Sequence, residues 1–268
     1  MTIPSLHIEN AHLTLTVPVD EPVAGTSNTI EELSAGLKGD FQARLEPGIP
    51  EGAPVEVPFV MFQGNNVQFT FSPIQLDYEA SFTGGYRKDY GQCKDFMAKK
   101  AARLLAAWER VDAHPVWESM AVALHASTFT LDELAPLHHI SQTLLQHESS
   151  DDMLHDVNIN FQFRVLSRYN VNIGVGEYER RNAHQQIGPG VAPKPIRPWE
   201  ISLTDRGLQV VVEVNNRYGA LVEEKHTRVT ESELRFMNGL TWHVVEHVAV
   251  PLAQEGVLNT ETLEQVVA

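Results

Sequence analysis

The sequence predicts an α+β fold. Two pseudo-repeated units, each reading strand, helix, three or four strands and helix, form a curved antiparallel sheet with the helices on one face. Several segments alternate apolar and polar residues, as half-buried strands do. The segments TIEELSAGL (29–37) and TLDELAPLH (130–138) resemble each other, and the same order of elements follows each of them. We assign 1–114 to the first unit, 115–257 to the second and 258–268 to a C-terminal tail, with one continuous domain as the alternative.

The first unit begins with an alternating strand over 11–17. The helix that follows starts at a capping box made by Thr29 and Glu32 and is predicted to continue until Pro47 and Gly48 stop it. The Gly-Asn-Asn sequence at 64–66 predicts the turn of a hairpin between two apolar strands, and a further alternating strand comes next. A long amphipathic helix over 90–112 completes the unit.

The second unit repeats this order with a strand over 116–129 and a helix over 130–148, which starts at a capping box of Thr130 and Glu133. Two alternating strands joined by a short turn then cover 155–181, and glycines within them predict a bulge or a bend. The next segment, WEISLTDRGLQVVVEVNN, predicts a second hairpin.

The turn of that second hairpin is placed at Gly207. The last major helix begins at a capping box of Thr230 and Glu233 and ends before Pro251.

Composition and charge narrow the function classes. The chain has 268 residues and a net charge of -15, which disfavours general binding to nucleic acid or to anionic membranes. The only local concentrations of basic residues lie at 99–103 and 180–181. The N-terminus has no signal-peptide pattern, no apolar run is long enough to span a membrane, and a single cysteine, Cys93, excludes an intrachain disulfide. We therefore expect a cytoplasmic protein.

The element order and the sequence VQFTFSPIQLDYEASF, followed by a long helix, a strand and TFTLDELAPL, resemble a sporadically distributed family of uncharacterised bacterial proteins of about 250 residues. The resemblance covers residues 4–254. The family's arginine-rich strand stands here as VALHASTF, and its late Asp-Ile-Asp strand stands as VEVNN. Because no activity is assigned to that family, the resemblance implies a fold and no chemistry. The duplicated order also looks like the two-lobed saddle of TATA-binding-type and gyrase-inhibitor-type helix-grip proteins.

The run HVVEH, from His243 to His247, matches the inverted zinc-protease signature H-x-x-E-H. Histidines four residues apart share a helix face, and Glu246 between them is a candidate general base. Such an enzyme also needs a third ligand downstream, where only the glutamates of the short tail remain. The helical spacing turns His243 away from the apolar stripe, so we interpret the run as a solvated helix face.

A second candidate metal region lies between His138 and Asp156, where histidines and acidic residues alternate irregularly. The group consists of His138, His139, His147, Glu148, Asp151, Asp152, His155 and Asp156. Its spacing matches no common zinc pattern, so we interpret the group as a polar helix end and turn. Cys93 lies on the apolar stripe of its helix, so we interpret it as a buried, unreactive thiol. We predict no catalytic residue, no metal and no cofactor.

The third candidate is a surface rich in side-chain amides on one face of the second unit's strands. Amides both donate and accept hydrogen bonds, which suits recognition of peptides, nucleobases or sugars, although an ordinary solvated sheet face is the alternative. The residues of this predicted binding face are Asn158, Asn160, Gln162, Arg164, Asn172, Glu213 and Asn215.

Three functions are compatible with these features. The first is a non-enzymatic binding protein whose partner is another protein, a small ligand or, as a homodimer, a second copy. The second is a metal-dependent hydrolase that uses the HVVEH helix or the His138 region. The third is a helix-grip-like sensor with a pocket near Trp108 and Trp242.

Overall fold

A computed structural model describes residues 4–48, 52–128, 130–131, 134–145, 157–183, 201–216 and 228–262. Within them, nine antiparallel strands form one sheet in the order β2-β3-β4-β5-β1-β6-β9-β8-β7. The strands are β1 (His7–Thr16), β2 (Ala43–Leu45), β3 (Val60–Gly64), β4 (Val67–Phe71), β5 (Gln75–Ser81), β6 (Trp117–Ser127), β7 (Ile159–Val165), β8 (Tyr169–Ala183) and β9 (Ile201–Asn215). The predicted α+β class and antiparallel sheet are confirmed.

The helices are α1 (Ser27–Gly36), α2 (Tyr90–Arg110), α3 (Ala135–Ile140), α4 (Glu231–Val244) and α5 (Val250–Glu255). Their apolar side chains join those of the sheet in one core cluster. Trp108 of α2 lies beside Phe71 of β4, and Phe236 of α4 packs on Tyr169 of β8, with ring centroids 6.3 and 5.2 Å apart. Burial of this apolar area is the main stabilising term of the fold.

The centre of the sheet is the antiparallel pair of β1 and β6, in which Leu13 lies opposite Met120. Alternation along β1 buries Leu13 and leaves His12 and Thr14 half-buried on the opposite face. We call this opposite face, which carries the polar side chains of the strands, the open face. The division of the chain into two repeated units remains a prediction.

The hairpin predicted at Gly207 is wrong. Residues 201–215 form one continuous strand, β9, in which Gly207 pairs with Ser127 of β6 and Tyr178 of β8. A Cβ atom at Gly207 would lie 2.0 Å from the carbonyl oxygen of Ala126. Glycine is needed here because the backbones of two strands approach closely, and not because the chain turns.

The helix predicted over 130–148 begins only at Ala135, and a π-helical turn (Ser141–Leu145) follows α3. The predicted start at Thr130 is wrong, because Thr130 and Leu131 lie in a turn and a bend, and Leu134 is the N-cap. Glu133 of its predicted capping box lies outside the described residues. At the last helix the capping box of Thr230 and Glu233 is present in full.

The sequence predicted that the last helix ends before Pro251, and this prediction is wrong. A π-helical turn (Val245–Ala249) intervenes, and Pro251 occupies the first turn of α5, where it needs no N–H partner. None of the helices in the described part of the chain combines the length and the apolar composition needed to cross a bilayer.

The cap of α1 differs from the predicted capping box. The helix begins at Ser27, two residues before Thr29, and the hydroxyl of Thr26 accepts a hydrogen bond from the Thr29 N–H at 3.2 Å. The helix ends at Gly36, and its predicted continuation to Pro47 is wrong because Ala43–Leu45 form β2. Thr26 is therefore the N-cap, and Thr29 lies inside the first turn.

We expect Thr26→Ala to lower the free energy of unfolding by about 1 kcal/mol, the usual cost of losing a threonine cap. The matched variant Thr29→Ala should change it by no more than a few tenths of a kcal/mol, because alanine is a good residue inside a helix. Chemical denaturation of the two variants checks the assignment, and equal losses would contradict it.

Candidate functional site

The structure brings the residues of the predicted binding face together on three neighbouring strands. Gln162 of β7 lies opposite Asn172 of β8, which lies opposite Glu213 of β9. In the next row Arg164 lies opposite Asn170, which lies opposite Asn215. The side chains of β7 are exposed and those of β8 and β9 are half-buried, so the face is open at the β7 side.

Two glycines of β8 make room for two asparagines of β7. Asn160 lies opposite Gly174, where a Cβ atom would come 3.0 Å from the Asn160 Oδ1. At Gly176 a Cβ atom would come 1.9 Å from the Asn158 Oδ1. No bulge lies at these glycines, because the β8–β9 register passes both of them, and the β7–β8 register passes Gly174, without a shift. The predicted bend stays a prediction. The glycines instead allow the amides to lie across the neighbouring strand.

Glu213 is the only acidic residue of the predicted binding face, and three donors surround its carboxylate. The hydroxyl of Ser119 and the amide of Asn215 donate to its Oε1 at 3.2 and 3.0 Å, and the amide of Asn172 reaches its Oε2 at 3.5 Å. The charge is thereby solvated by protein groups. The remaining amides, Asn158, Asn160 and Gln162, are exposed.

The first half of the open face carries a similar arrangement around Asp77 of β5. Thr14 and Gln75 donate to its Oδ1 at 2.8 and 2.9 Å, and the His12 Nε2 lies 3.3 Å away. Burial favours the neutral acid, but hydrogen bonds from His12, Thr14 and Gln75 outweigh it and lower the pKa of Asp77. No sequence pattern predicted this group, because its members come from β1 and β5, which are distant in sequence.

A second polar cluster, also missed from the sequence, lies at the end of the open face near the start of β1. Glu9 occupies a β-bulge between Ile8 and Asn10, and its carboxylate is held by the guanidinium groups of Arg87 and Arg180. The His125 Nδ1 lies 3.9 Å from the Glu9 Oε2. The bulge re-aims the Glu9 side chain, a change that hydrophobic alternation does not reveal.

In the same cluster the ring of His125 stacks on Tyr178, with centroids 4.0 Å apart. The Tyr178 hydroxyl donates to Asp205 at 2.9 Å. Burial lowers the pKa of His125, and the guanidinium groups of Arg180 and Arg87 act in the same direction, while Glu9 and Asp205 oppose them. Burial and the hydrogen bond to Asp205 raise the pKa of Tyr178. The ion pairs of Glu9 with Arg87 and Arg180 hold this cluster together.

Both basic concentrations seen in the sequence are engaged in ion pairs. Lys100 and Arg103 bind Asp40, whose side chain is only 5% exposed. Arg180 binds Glu9, and Arg181 binds Glu179. Arg180 and Arg181 thus each pair with an acid, whereas Lys100 and Arg103 share a single carboxylate.

Glu118 is a buried acid on the core side of β6. It is 0% exposed, its Oε2 has no hydrogen-bond partner among the described residues, and the Asn216 amide reaches its Oε1 at only 3.5 Å. Burial raises the pKa of Glu118 to about 8, and the nearby Glu233 carboxylate adds to this while Arg168 opposes it. The signal for Glu118 was present in the sequence, since it falls in step with Met120 and Val122 on the apolar side of the strand.

The HVVEH run places the two imidazoles side by side, with ring centroids 4.6 Å apart. The Nε2–H of half-buried His243 donates to the Thr262 carbonyl at 3.0 Å, and exposed His247 lies 3.8 Å from the Glu246 carboxylate. Within the described ranges, no three side chains of histidine, cysteine, aspartate or glutamate come together as a metal site.

The second candidate metal region is only partly described. The His139 Nε2–H donates to the Ala253 carbonyl at 2.6 Å, which ties α3 to α5, and His138 is half-buried on α3. His147, Glu148, Asp151, Asp152, His155 and Asp156 lie outside the described residues.

Cys93 and the two tryptophans of the predicted sensor pocket belong to the core. Burial raises the pKa of Cys93 to about 12, which disfavours the nucleophilic thiolate. Trp108 and Trp242 are each 1% exposed, and the Trp242 indole donates to Asn238 at 3.1 Å.

A small cavity of about 140 Å³ lies between the β3–β4 hairpin and the start of α2. Phe82, Tyr86 and Phe96 form its apolar part, and Asn65 and Asn66 form part of its polar rim. A shallower depression of about 320 Å³ adjoins it and opens onto β4. These cavities lie at the opposite end of the sheet from β7.

No known family model matches this sequence, and a search of curated proteins finds no match to it.

Proposed function

We propose that this chain is a non-enzymatic interaction protein that binds a neutral, extended peptide segment of a partner on the open face of β7, β8 and β9. The observation that carries the proposal is the row formed by Gln162, Asn172 and Glu213, flanked by Asn160 over Gly174. Asparagine is disfavoured within strands, so its concentration on one face of three adjacent strands favours a role in recognition.

The chemistry of this face fits a peptide. A peptide backbone alternates donors and acceptors, and the exposed amides of Asn160 and Gln162 offer both. The acid of the face, Glu213, is already satisfied by Ser119, Asn172 and Asn215, so it does not demand a cationic partner. A net charge of -15 disfavours a polyanionic partner such as nucleic acid.

The proposal includes duplicated architecture with the helices on one face of the sheet. Strand order supports it: apart from β2, the sequence β3-β4-β5-β1 mirrors β7-β8-β9-β6. A two-fold axis through the pair of Leu13 and Met120 exchanges Thr14 with Ala121. It therefore also exchanges the residues opposite them, Asp77 and Glu213.

The shared apolar core of helices and sheet supports placement of the helices on the side away from the open face. The helix-free face is then left for a partner, as in other antiparallel sheets with one solvated side. The hydrolase and sensor alternatives have less support. His243 is engaged by a backbone carbonyl, and Trp108 and Trp242 fill the core.

The proposal predicts that linear peptides selected from an unbiased phage-displayed library lose affinity when the amides of β7 are removed. In calorimetric titrations, the double variant Asn160→Ala/Gln162→Ala should bind the selected peptides at least about tenfold more weakly, since each lost hydrogen bond is worth roughly 1 kcal/mol.

The matched control is Gln63→Ala/Gln68→Ala, which removes two amides from the other end of the same open face. It should leave the affinity unchanged. Peptides that bind the β7 double variant as tightly as the native chain would contradict the proposal, and so would a selection that yields no peptide dependent on these amides.

A further inference from the structure

The two edges of the sheet differ in how well they are protected from association. At one edge β2 has only three residues (Ala43–Leu45), and a very short edge strand is a usual protection. At the other edge β7 has seven residues, contains no proline or lysine, and pairs only with β8 among the described residues. A long, regular edge of this kind is a template for another strand.

The direction of the backbone groups of β7 follows from the hairpin that joins it to β8. The Val165 carbonyl accepts a hydrogen bond from the Arg168 N–H at 3.2 Å across a turn in which Leu166 and Ser167 have φ of 55° and 56°. The backbone of Val165 therefore faces β8. Because alternate residues of an antiparallel strand face opposite neighbours, Asn160 and Gln162 direct their N–H and C=O groups outward.

The side chains of β7 suit a second copy of the same strand. Ile159, Phe161 and Phe163 are only partly buried against the core, so the edge leaves apolar surface in contact with water. The strand Ile159–Val165 contains no acidic residue, although the whole chain has a net charge of -15. Two copies can thus approach at this edge without bringing their negative charges together.

We propose that the protein forms a homodimer in which β7 pairs antiparallel with β7 of a second copy, Gln162 opposite Gln162. This register sets Asn160 opposite Arg164 and Phe161 opposite Phe163, so no like charges face each other. Three facing pairs would exchange about six backbone hydrogen bonds. The two nine-stranded sheets become one continuous sheet. This inference rests on the proposed interaction function and names a second copy as a partner.

Sedimentation velocity of the full chain from about 1 to about 100 µM tests the dimer. The native chain, of 29.9 kDa, should reach twice that mass. Gln162→Pro should be monomeric, because proline lacks the backbone N–H that Gln162 directs toward the second copy. The substitution removes no hydrogen bond to β8, since that N–H faces away from β8. Gln162→Ala, which keeps the backbone, should remain dimeric.

If Gln162→Pro loses its native circular dichroism, Gln162→Lys replaces it, since two lysines facing each other repel and the position is exposed. Gln162→Lys should raise the dimer dissociation constant at least tenfold. A native chain that stays monomeric at every concentration overturns the inference, as does a folded Gln162→Pro or Gln162→Lys variant that dimerises like the native chain. The peptide-binding proposal fails separately, because Gln162→Ala affects peptide affinity and not mass.

Discussion

Glu118→Gln is expected to stabilise the protein increasingly as pH rises. The carboxyl of Glu118 is fully buried and its pKa is raised to about 8, so the folded state keeps a proton that the unfolded chain releases near its ordinary value of 4.5. Between these two values the folded state binds more protons than the unfolded state. Its free energy of unfolding therefore falls by about 1.4 kcal/mol for each pH unit.

The free energy of unfolding falls as pH rises because of Glu118, whereas a salt-bridged carboxylate makes it rise. Below the unfolded pKa the group is neutral in both states and costs nothing through ionisation. At pH 7 the native chain should have lost roughly 3 kcal/mol relative to Glu118→Gln, and the loss should level off above pH 8. Any packing cost of the glutamine amide is the same at all pH values, so it shifts the difference without changing its slope.

Chemical denaturation of the native chain and Glu118→Gln between pH 4.5 and 9 measures this difference. The control is Glu79→Gln, which removes an exposed carboxylate from β5 and should give no comparable gain. A difference between Glu118→Gln and the native chain that does not change with pH would show that Glu118 finds a counter-charge, and would contradict this account.

Gly207→Ala should lower the free energy of unfolding by about 3 kcal/mol. The new Cβ atom would lie 2.0 Å from the Ala126 carbonyl oxygen and 3.0 Å from the Ser127 Cα, both backbone atoms of the neighbouring strand. Neither can rotate away, so β6 and β9 must separate locally, and overpacking of this kind costs 1–3 kcal/mol or more.

Gly239→Ala is the matched control for Gly207→Ala. Gly239 lies within α4, and apart from its chain neighbours and the backbone of its own helix no atom lies within 4 Å of the position of its Cβ. Alanine should therefore stabilise that helix by up to about 1 kcal/mol. The midpoints of urea denaturation compare the two variants, and a neutral Gly207→Ala would contradict the close approach of β6 and β9.

Much of the sheet could be predicted from the sequence because alternation is a local signal. The hairpin at Asn65 and Asn66, the strand that became β6 and the pair β7 and β8 were all predicted in type and place. The capping box at Thr230 was predicted because both of its members are fixed in sequence spacing.

Two predictions were wrong at residue types that serve more than one structural role. Gly207 was interpreted as a turn because glycine commonly supplies turns, whereas here it permits close approach of two strands that are distant in sequence. Pro251 was interpreted as a helix end, but the preceding π turn lets the proline begin a new helical segment. Neither outcome is decided by the neighbouring residues alone.

Some of the polar clusters could be predicted from the sequence and others could not. The amides of β7 and β8 could be assigned to one face because period-two alternation fixes the face of each residue. The Glu9 cluster could not, since it requires a bulge and joins Arg87, His125 and Arg180 from three separate elements. Glu118 could have been found, because an acid within a row of apolar positions is visible in the sequence itself.

The most direct test of the central claim is a nuclear magnetic resonance titration of ¹⁵N-labelled protein with the tightest selected peptide. If the peptide binds on β7, β8 and β9, the side-chain amide signals of Asn160, Gln162 and Asn172 should shift most, and those of Gln63 and Gln68 should not move. Shifts confined to Asn65, Asn66 and the cavity beside Phe96 would contradict it and would place the binding site at the other end of the sheet.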